Sequence, residues 1–359
     1  MLAVFEITYL CNSACGYCDL PLNQGRPELS RREIRRIFGD LYRDGIRFLF
    51  IQGGEPLARA DLIDVLEDLA DIGFTLALVT NGTRLTPEII TRLGRLPVSI
   101  SVSLDSLDRD TYRRIRVRDQ LPKVLAGIKL LAGFSGPKYL TCIVTEANRG
   151  DTLAVAEFAH ENGFLPIFGA YHWNVAAYGK ADADLIIARQ AALAVFAELK
   201  ASDLVPAGYF QNYLEDNLRW LAGQKLGRCD AGRYSIAIDA SGNVAPCLAM
   251  AQTGNLLVQS LAEILRGLDR SAVKSCSDRS GCNLLCSRVI GTTLRRPMAS
   301  LRGLRGLATA ARSNAPAEGG QPSVDAGPIQ VADLHAPEAG DDPAQAVIDT
   351  PKCRRDFRL

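Results

Sequence analysis

The chain has 359 residues, a formal net charge of +1 and ten cysteines. That length accommodates one large domain plus a smaller one, and the near-neutral charge argues for no particular partner; no nucleic acid is expected. No stretch approaches the roughly eighteen apolar residues of a membrane span. The N-terminus enters an apolar pattern without the basic region and cleavage site of a secretory signal, so the clustered cysteines point to a reducing cytoplasm rather than a disulfide framework.

The first predicted strand, Ala3 to Thr8, runs into Cys11-Asn12-Ser13-Ala14-Cys15-Gly16-Tyr17-Cys18. Three thiolates within eight residues can hold three irons of a four-iron cluster, whose full set is normally four cysteines. A ligand set one short leaves an open position, which in metal sites marks chemistry more than structure. A zinc knuckle or inert buried thiols are the alternatives, although zinc favours paired C-x2-C motifs or His partners. Next, Ser30-Arg31-Arg32-Glu33 reads as a capping box, with Ile34, Ile37, Phe38 and Leu41 at helical spacing behind it. A buried strand over 47–52 ends in Gly53-Gly54-Glu55-Pro56, where glycines permit close backbone approach. A helix over 61–69 and a strand over 75–79 lead to the turn Thr80-Asn81-Gly82-Thr83. Pro87 opens a third helix. The stretch Val98 to Asp105 alternates polar and apolar residues as a strand does, which places Ser103 and Asp105 on one face.

A helix over 121–131, a strand over 139–144, a helix over 151–161 and a strand over 165–169 complete six βα-like units. All the polar motifs fall at carboxyl ends of strands, where α/β folds bind ligands. Cys142 reads as a core residue, Asn148 as a turn residue or one facing a ligand, and His160 as structural. The sixth strand ends in Tyr171-His172-Trp173-Asn174; His172 is either a proton donor and substrate contact or a satisfied structural histidine.

The C-x3-C-x2-C spacing with Tyr17 before its last cysteine, followed in order by the G-G-E-P turn, the Asn81 turn and Ser103-x-Asp105, resembles the radical S-adenosylmethionine enzymes. The resemblance implies an α/β fold, a partial (β/α)6 TIM-like barrel. It implies a [4Fe–4S] cluster on Cys11, Cys15 and Cys18 whose open iron is chelated by the methionine part of S-adenosylmethionine. Tyr17, Gly53, Gly54, Glu55, Asn81, Ser103, Asp105 and Arg116 then form the cofactor-binding set, with Gly53, Gly54 and Glu55 at the amino group, Ser103 and Asp105 at the ribose and carboxylate, and Arg116 pairing with the carboxylate. In that family one electron, here from a flavodoxin- or ferredoxin-type donor, breaks the sulfonium C–S bond. The resulting 5′-deoxyadenosyl radical abstracts hydrogen from substrate.

Two helices between 182 and 226 bridge to a second region. There Cys229 precedes two short strands joined at Ser241-Gly242-Asn243, a hairpin that returns Cys247 toward Cys229. A helix over 260–268 and then Cys276, Cys282 and Cys286 follow. This C-x12-G-x4-C … C-x5-C-x3-C pattern resembles the SPASM or twitch auxiliary iron–sulfur domain. It departs from a full SPASM module: Val273 stands at the first position of the C-x2-C pair, and the only later cysteine is Cys353. The expectation is one auxiliary [4Fe–4S] cluster with ligands drawn from Cys229, Cys247, Cys276, Cys282 and Cys286. Two clusters, one using Cys353 and a non-cysteine ligand, and zinc in the same thiolates are the alternatives.

Between Asp278 and Glu318 arginines accumulate without an acid, and the segment is either a packed helix or a weak membrane-surface contact through 288–312. From Ser313 to Pro351 the composition predicts disorder. The expected divisions are 1–182 barrel, 183–226 helical bridge, 227–290 auxiliary domain, 291–312 basic segment and 313–359 tail. The substrate is a peptide or a small molecule. Rival readings are a lipid-precursor enzyme resembling those that adenosylate hopanoid precursors, or a non-catalytic iron–sulfur redox protein.

Overall fold

The computed structural model describes residues 1–172 and 182–297. Nine strands form a single sheet: β1 (Leu2–Glu6), β2 (Phe48–Gln52), β3 (Thr75–Thr80), β4 (Val98–Ser103), β5 (Lys138–Val144), β6 (Leu165–Ala170), β7 (Ser235–Ile238), β8 (Asn243–Ala245) and β9 (Gly254–Asn255). Their order is β6-β5-β4-β3-β2-β1-β7-β8-β9. The first six run parallel in sequence order and make an open partial barrel, as the alternating pattern predicts. The strands are separated by α1 (Arg31–Arg43), α2 (Leu62–Ile72), α3 (Pro87–Leu93), α4 (Arg109–Arg116), α5 (Leu121–Leu130) and α6 (Thr152–Glu161).

The Ser30 capping box forms as read, with Ser30 Oγ accepting from the Glu33 amide and the Glu33 carboxylate accepting from the Ser30 amide. It starts α1 so that Ile34, Ile37, Phe38 and Leu41 are buried, and Phe38 meets Phe5 of β1 at 4.6 Å between ring centroids. Alternation along β4 buries Val98, Ile100 and Val102 beneath the helices and leaves Ser99, Ser101 and Ser103 for the barrel interior. That row of small polar side chains keeps the interior open. Cys142 is fully buried, as the core reading expects, and His160 bonds the Leu204 carbonyl.

The C-terminal hairpin is not a separate body. β7 pairs parallel with β1, from Leu2 opposite Ser235 to Phe5 opposite Ile238. Pairing satisfies the edge of β1 that the open barrel would otherwise expose. β8 then turns back antiparallel through a tight loop in which Gly242 has φ 84° and the Asp239 carboxylate accepts the amides of Ser241 and Asn243. The bridge is two helices, α7 (Arg189–Ala201) and α8 (Tyr209–Leu221), followed later by α9 (Leu261–Arg266), α10 (Arg270–Arg279) and α11 (Val289–Arg295).

The expected division at residue 290 falls inside α11. Its arginines divide: Arg288 is 2% exposed and Arg296 pairs with Asp216 at 3.2 Å, whereas Arg295 is exposed while donating to the Arg228 carbonyl. The described start of the basic segment thus packs on the chain through Arg288 and Arg296, while Leu294 and Arg295 stay exposed. Residues 298–312, the expected disordered tail with Cys353, and Trp173 and Asn174 lie outside the described residues. Among the described residues no helix is long and apolar enough to cross a membrane.

Candidate active site and auxiliary cysteine group

The cysteine loop after β1 is docked by backbone contacts. Gly54 N–H donates to the Thr8 carbonyl at 2.8 Å, and Glu55 N–H to the Leu10 carbonyl at 2.7 Å. Glu28 fixes the loop's start, accepting from Thr8 Oγ1 at 2.9 Å and from the Tyr9 amide at 2.7 Å. Gln120 fixes its middle, accepting from Ser13 Oγ at 2.9 Å and donating to the Asn12 carbonyl at 3.1 Å. Neither Glu28 nor Gln120 belongs to the expected set. Each lies on a segment whose sequence carries no motif, and only the fold brings it to the loop.

The Glu55 carboxylate is 1% exposed and accepts from Thr80 Oγ1 and the Asn81 amide, each at 2.6 Å, and from the Leu57 amide at 3.1 Å. Burial pushes its carboxyl up from the ordinary range, opposed by those three donors. Asn81 in turn donates to Asn12 Oδ1 at 2.8 Å, so the ends of β2 and β3 and the cysteine loop form one hydrogen-bonded unit. Arg116, 6% exposed, donates through Nε to Asp105 at 2.6 Å and points Nη1 at Cys15 Sγ, 3.7 Å away. The Tyr17 ring lies 5.5 Å from the Arg116 guanidinium carbon, and its hydroxyl donates to Asp105 at 3.3 Å.

Ser103 and Asp105 do not share a face. β4 ends at Ser103, so the two-residue alternation stops there. Ser103 lines the central cavity, whereas Asp105 turns away, fully buried, to hold Arg116 and accept the Ile143 amide at 3.0 Å. Asn148 is likewise structural, donating to the Asp105 carbonyl at 2.8 Å. The cavity, about 440 Å³, is bordered by Cys11, Cys15, Cys18, Tyr17, Gly53, Gly54, Glu55, Asn81, Ser103 and Arg116. Its remaining wall includes Tyr139, Thr141, Tyr209, Phe210, Tyr213 and Cys286.

At the far end the hairpin returns Cys247 to pack beside Cys229, as expected. The thiols of Cys282, Cys229 and Cys276 all lie near enough to act electrostatically on Cys247, and those of Cys282 and Cys229 on Cys286. All five expected cysteines therefore gather in one group. His172 borders the central cavity, where its Nε2 accepts the Asn283 amide at 2.9 Å and its ring stacks on Trp220 at 4.6 Å. Burial lowers its pKa to about 4, so it is neutral near pH 7.

Both cysteine groups fit a bound metal cluster. Burial pushes the thiols of Cys11 up to about 11, and of Cys18 and Cys286 up to about 12. Metals bind thiolate, and a bound cation deprotonates a coordinating thiol outright. Among the described residues no three His, Cys, Asp or Glu groups converge tightly enough for one ion; an iron–sulfur cluster spreads its thiolates over different irons. Beside the second group, Asn283 is fully buried with both side-chain polar atoms unpartnered, which marks a place where a further acceptor and donor belong.

Residues 5–159 match the family model of the Radical SAM superfamily, and residues 229–288 match that of an iron–sulfur cluster-binding domain, SPASM. The AdoMet-dependent heme synthase of Methanosarcina barkeri is 31% identical over 175 residues, covering 48% of this chain and 49% of that protein. The mycofactocin maturase MftC of Mycobacterium tuberculosis is 32% identical over 148 residues, covering 40% of this chain and 38% of that one. The chain spans about half the length, or less, of these curated relatives. The crystal structure of Streptococcus suis SuiB bound to precursor peptide SuiA superposes with a TM-score of 0.62 at 14% identity, over 77% of this chain and 66% of that one.

Proposed function

We propose that this chain, which belongs to the radical S-adenosylmethionine superfamily and carries a C-terminal SPASM iron–sulfur domain, cleaves S-adenosylmethionine reductively and modifies a peptide side chain. One observation carries the reading: the three-cysteine loop and Cys286 of the second cysteine group border the same cavity. Cys11, Cys15 and Cys18 would hold the cluster with an open iron, and Cys229, Cys247, Cys276, Cys282 and Cys286 would supply the ligands of one auxiliary cluster. When bound, the first cluster and S-adenosylmethionine supply a one-electron cleavage that yields a hydrogen-abstracting carbon radical.

The chain's own residues prepare that chemistry. Gly53 and Gly54 hold the cysteine loop against β2, and Glu55 and Asn81 present polar groups at its edge. Arg116 offers a cation to a cofactor carboxylate, held in place by Asp105. Ser103 and its neighbours on β4 leave interior space with hydrogen-bonding walls.

The cavity's chemistry supports a peptide. Among the described residues Arg116 is the only lysine or arginine that lines it, and it is committed to Asp105 and to the single carboxylate of the cofactor. A polyphosphate or polycarboxylate substrate would find no free cation there. The apolar and aromatic wall suits an inserted side chain, and the serine row with Thr141 and Gln52 suits amide groups rather than a bare hydrocarbon. A precursor peptide is what SuiB, a neighbour in fold, binds.

The test is anaerobic reconstitution with a strong reductant, reading 5′-deoxyadenosine and the mass of an added peptide library. Cys15→Ala abolishes cleavage; unchanged cleavage in the Cys11/Cys15/Cys18 triple alanine variant would sink the assignment. Turnover of a lipid precursor with no change in any peptide would overturn the substrate class alone.

A further inference from the structure

Seven buried side-chain polar atoms lack a hydrogen-bond partner among the described residues, and four of them lie around the Cys282–Cys286 segment: Tyr209 Oη, Asn283 Oδ1 and Nδ2, and Arg288 Nε. Native structures leave few such atoms, and each calls for a partner that the protein alone does not provide. Their backbones are well placed. Asn283 donates its amide to His172 at 2.9 Å and accepts the Tyr213 hydroxyl at 2.9 Å through its carbonyl. Its segment is thereby clamped to the end of β6 and to α8, with the side chain left over.

Arg288 adds a charge to the same place. Its Nη1 donates to the Gly227 carbonyl at 2.6 Å and its Nη2 to the Cys282 carbonyl at 3.1 Å. It belongs to none of the ion pairs among the described residues. The Asp230 carboxylate lies near enough for Arg288 to act on it but is already engaged by the Ile290 and Gly291 amides. A buried guanidinium with no direct ion pair is costly, and a cluster held by several thiolates is an anion that would complete its pairing. Tyr209 stands at the start of α8 and borders the central cavity together with Cys286.

We infer that Tyr209 and Asn283 donate hydrogen bonds to sulfurs of the auxiliary cluster and that Arg288 is its buried counter-charge. The three residues together hold the cluster at a higher reduction potential than its thiolates alone would give. Hydrogen bonds to the sulfurs and nearby positive charge favour the more negative, reduced form. An auxiliary centre so poised accepts an electron from the cavity side more readily than it gives one. The inference rests on the C-terminal thiols holding an iron–sulfur cluster.

The experiment uses the full-length reconstituted chain with Cys11, Cys15 and Cys18 replaced by Ala, so that a single cluster signal remains. Iron and zinc are counted first, and the cluster is then titrated by EPR-monitored potentiometry with proton ENDOR on its reduced form. Tyr209→Phe removes only an oxygen, and Asn283→Leu keeps the side chain's shape. Each is expected to retain its iron, shift the midpoint to more negative potential and lose an exchangeable-proton coupling. Retained iron with unchanged potential and couplings in both variants overturns the inference and leaves the cluster reading standing. Zinc in place of iron overturns the cluster reading and the inference with it. Loss of iron in folded Asn283→Leu makes Asn283 a ligand and overturns its role as a donor.

Discussion

A Cβ on Gly54 would stand 2.2 Å from the Leu10 carbonyl oxygen and 2.9 Å from the Cβ of Cys11. The end of β2 and the cysteine loop therefore touch backbone to backbone, and nothing at the contact is the movable tip of a side chain. Gly53 is as tight, its Cβ position lying 2.6 Å from the Thr8 carbonyl oxygen. The two glycines are thus needed to seat the loop, whatever they also contact in a bound cofactor.

Gly54→Ala should displace the loop while sparing the C-terminal cysteine group. Reconstituted wild type is expected to hold about eight irons, two four-iron clusters, and the variant about four. The measurement is iron per chain together with far-UV circular dichroism. A variant that keeps all its iron would show that the loop can back away without losing its ligand geometry.

Arg116 and Asp105 form a buried pair, 7% and 0% exposed at their side chains. Removing one partner strands the other in a dry site, at a typical cost of about 3–5 kcal/mol, whereas removing both costs less. Arg116→Met should therefore lower the unfolding midpoint more than the Arg116→Met/Asp105→Asn double variant does. Both should weaken S-adenosylmethionine binding, read by isothermal calorimetry on reconstituted protein. Equal unfolding midpoints for the single and double variants would mean that water reaches Asp105.

His172 gives the fold a pH dependence of defined sign. Burial, the dominant cause, lowers its pKa from 6.5 to about 4. Between those values the unfolded chain binds a proton that the folded chain refuses. This contribution is complete above about 6.5 and is lost as pH falls toward 4, on the order of 3 kcal/mol in all. Between about pH 7.5 and 5.5, wild type should lose roughly 1 kcal/mol more than His172→Gln, compared by urea midpoints under identical conditions. Parallel losses in the two proteins would place the ring in contact with solvent.

The parts legible in the sequence are those that local chemistry dictates. The cysteine triplet, the glycines after β2, the Ser30 capping box and the six alternating units each need only neighbours within a few residues. What escaped the reading depends on distant contacts. Glu28 reaches the cysteine loop only because the chain returns there after β1, and Tyr209 meets the second cysteine group only through α8. The alternation that placed Ser103 correctly misplaced Asp105, since its period ends with the strand. Nor could the hairpin's own residues reveal that β7 would pair with β1. A strand's pattern states which face is buried, not which edge it joins.

Cys353 offers the last test. Five cysteines already gather around Cys247 and Cys286, one more than a four-iron cluster normally takes, so no sixth thiolate is required. The acidic segment over 313–351, before Cys353, is rich in Ala, Pro and Gly, lacks Lys and Arg, and carries no cofactor motif. Truncation after residue 312 should leave about eight irons per chain and unchanged S-adenosylmethionine cleavage. Cutting back to about residue 288 should behave differently, because it removes α11 and with it the backbone amides that the Asp230 carboxylate accepts, at 2.9 Å from both Ile290 and Gly291. Asp230 adjoins Cys229, so the deeper cut should cost auxiliary-cluster iron as well as stability. Iron lost on the shorter truncation alone would instead make Cys353 a ligand, and the single auxiliary cluster would then have to give way to two.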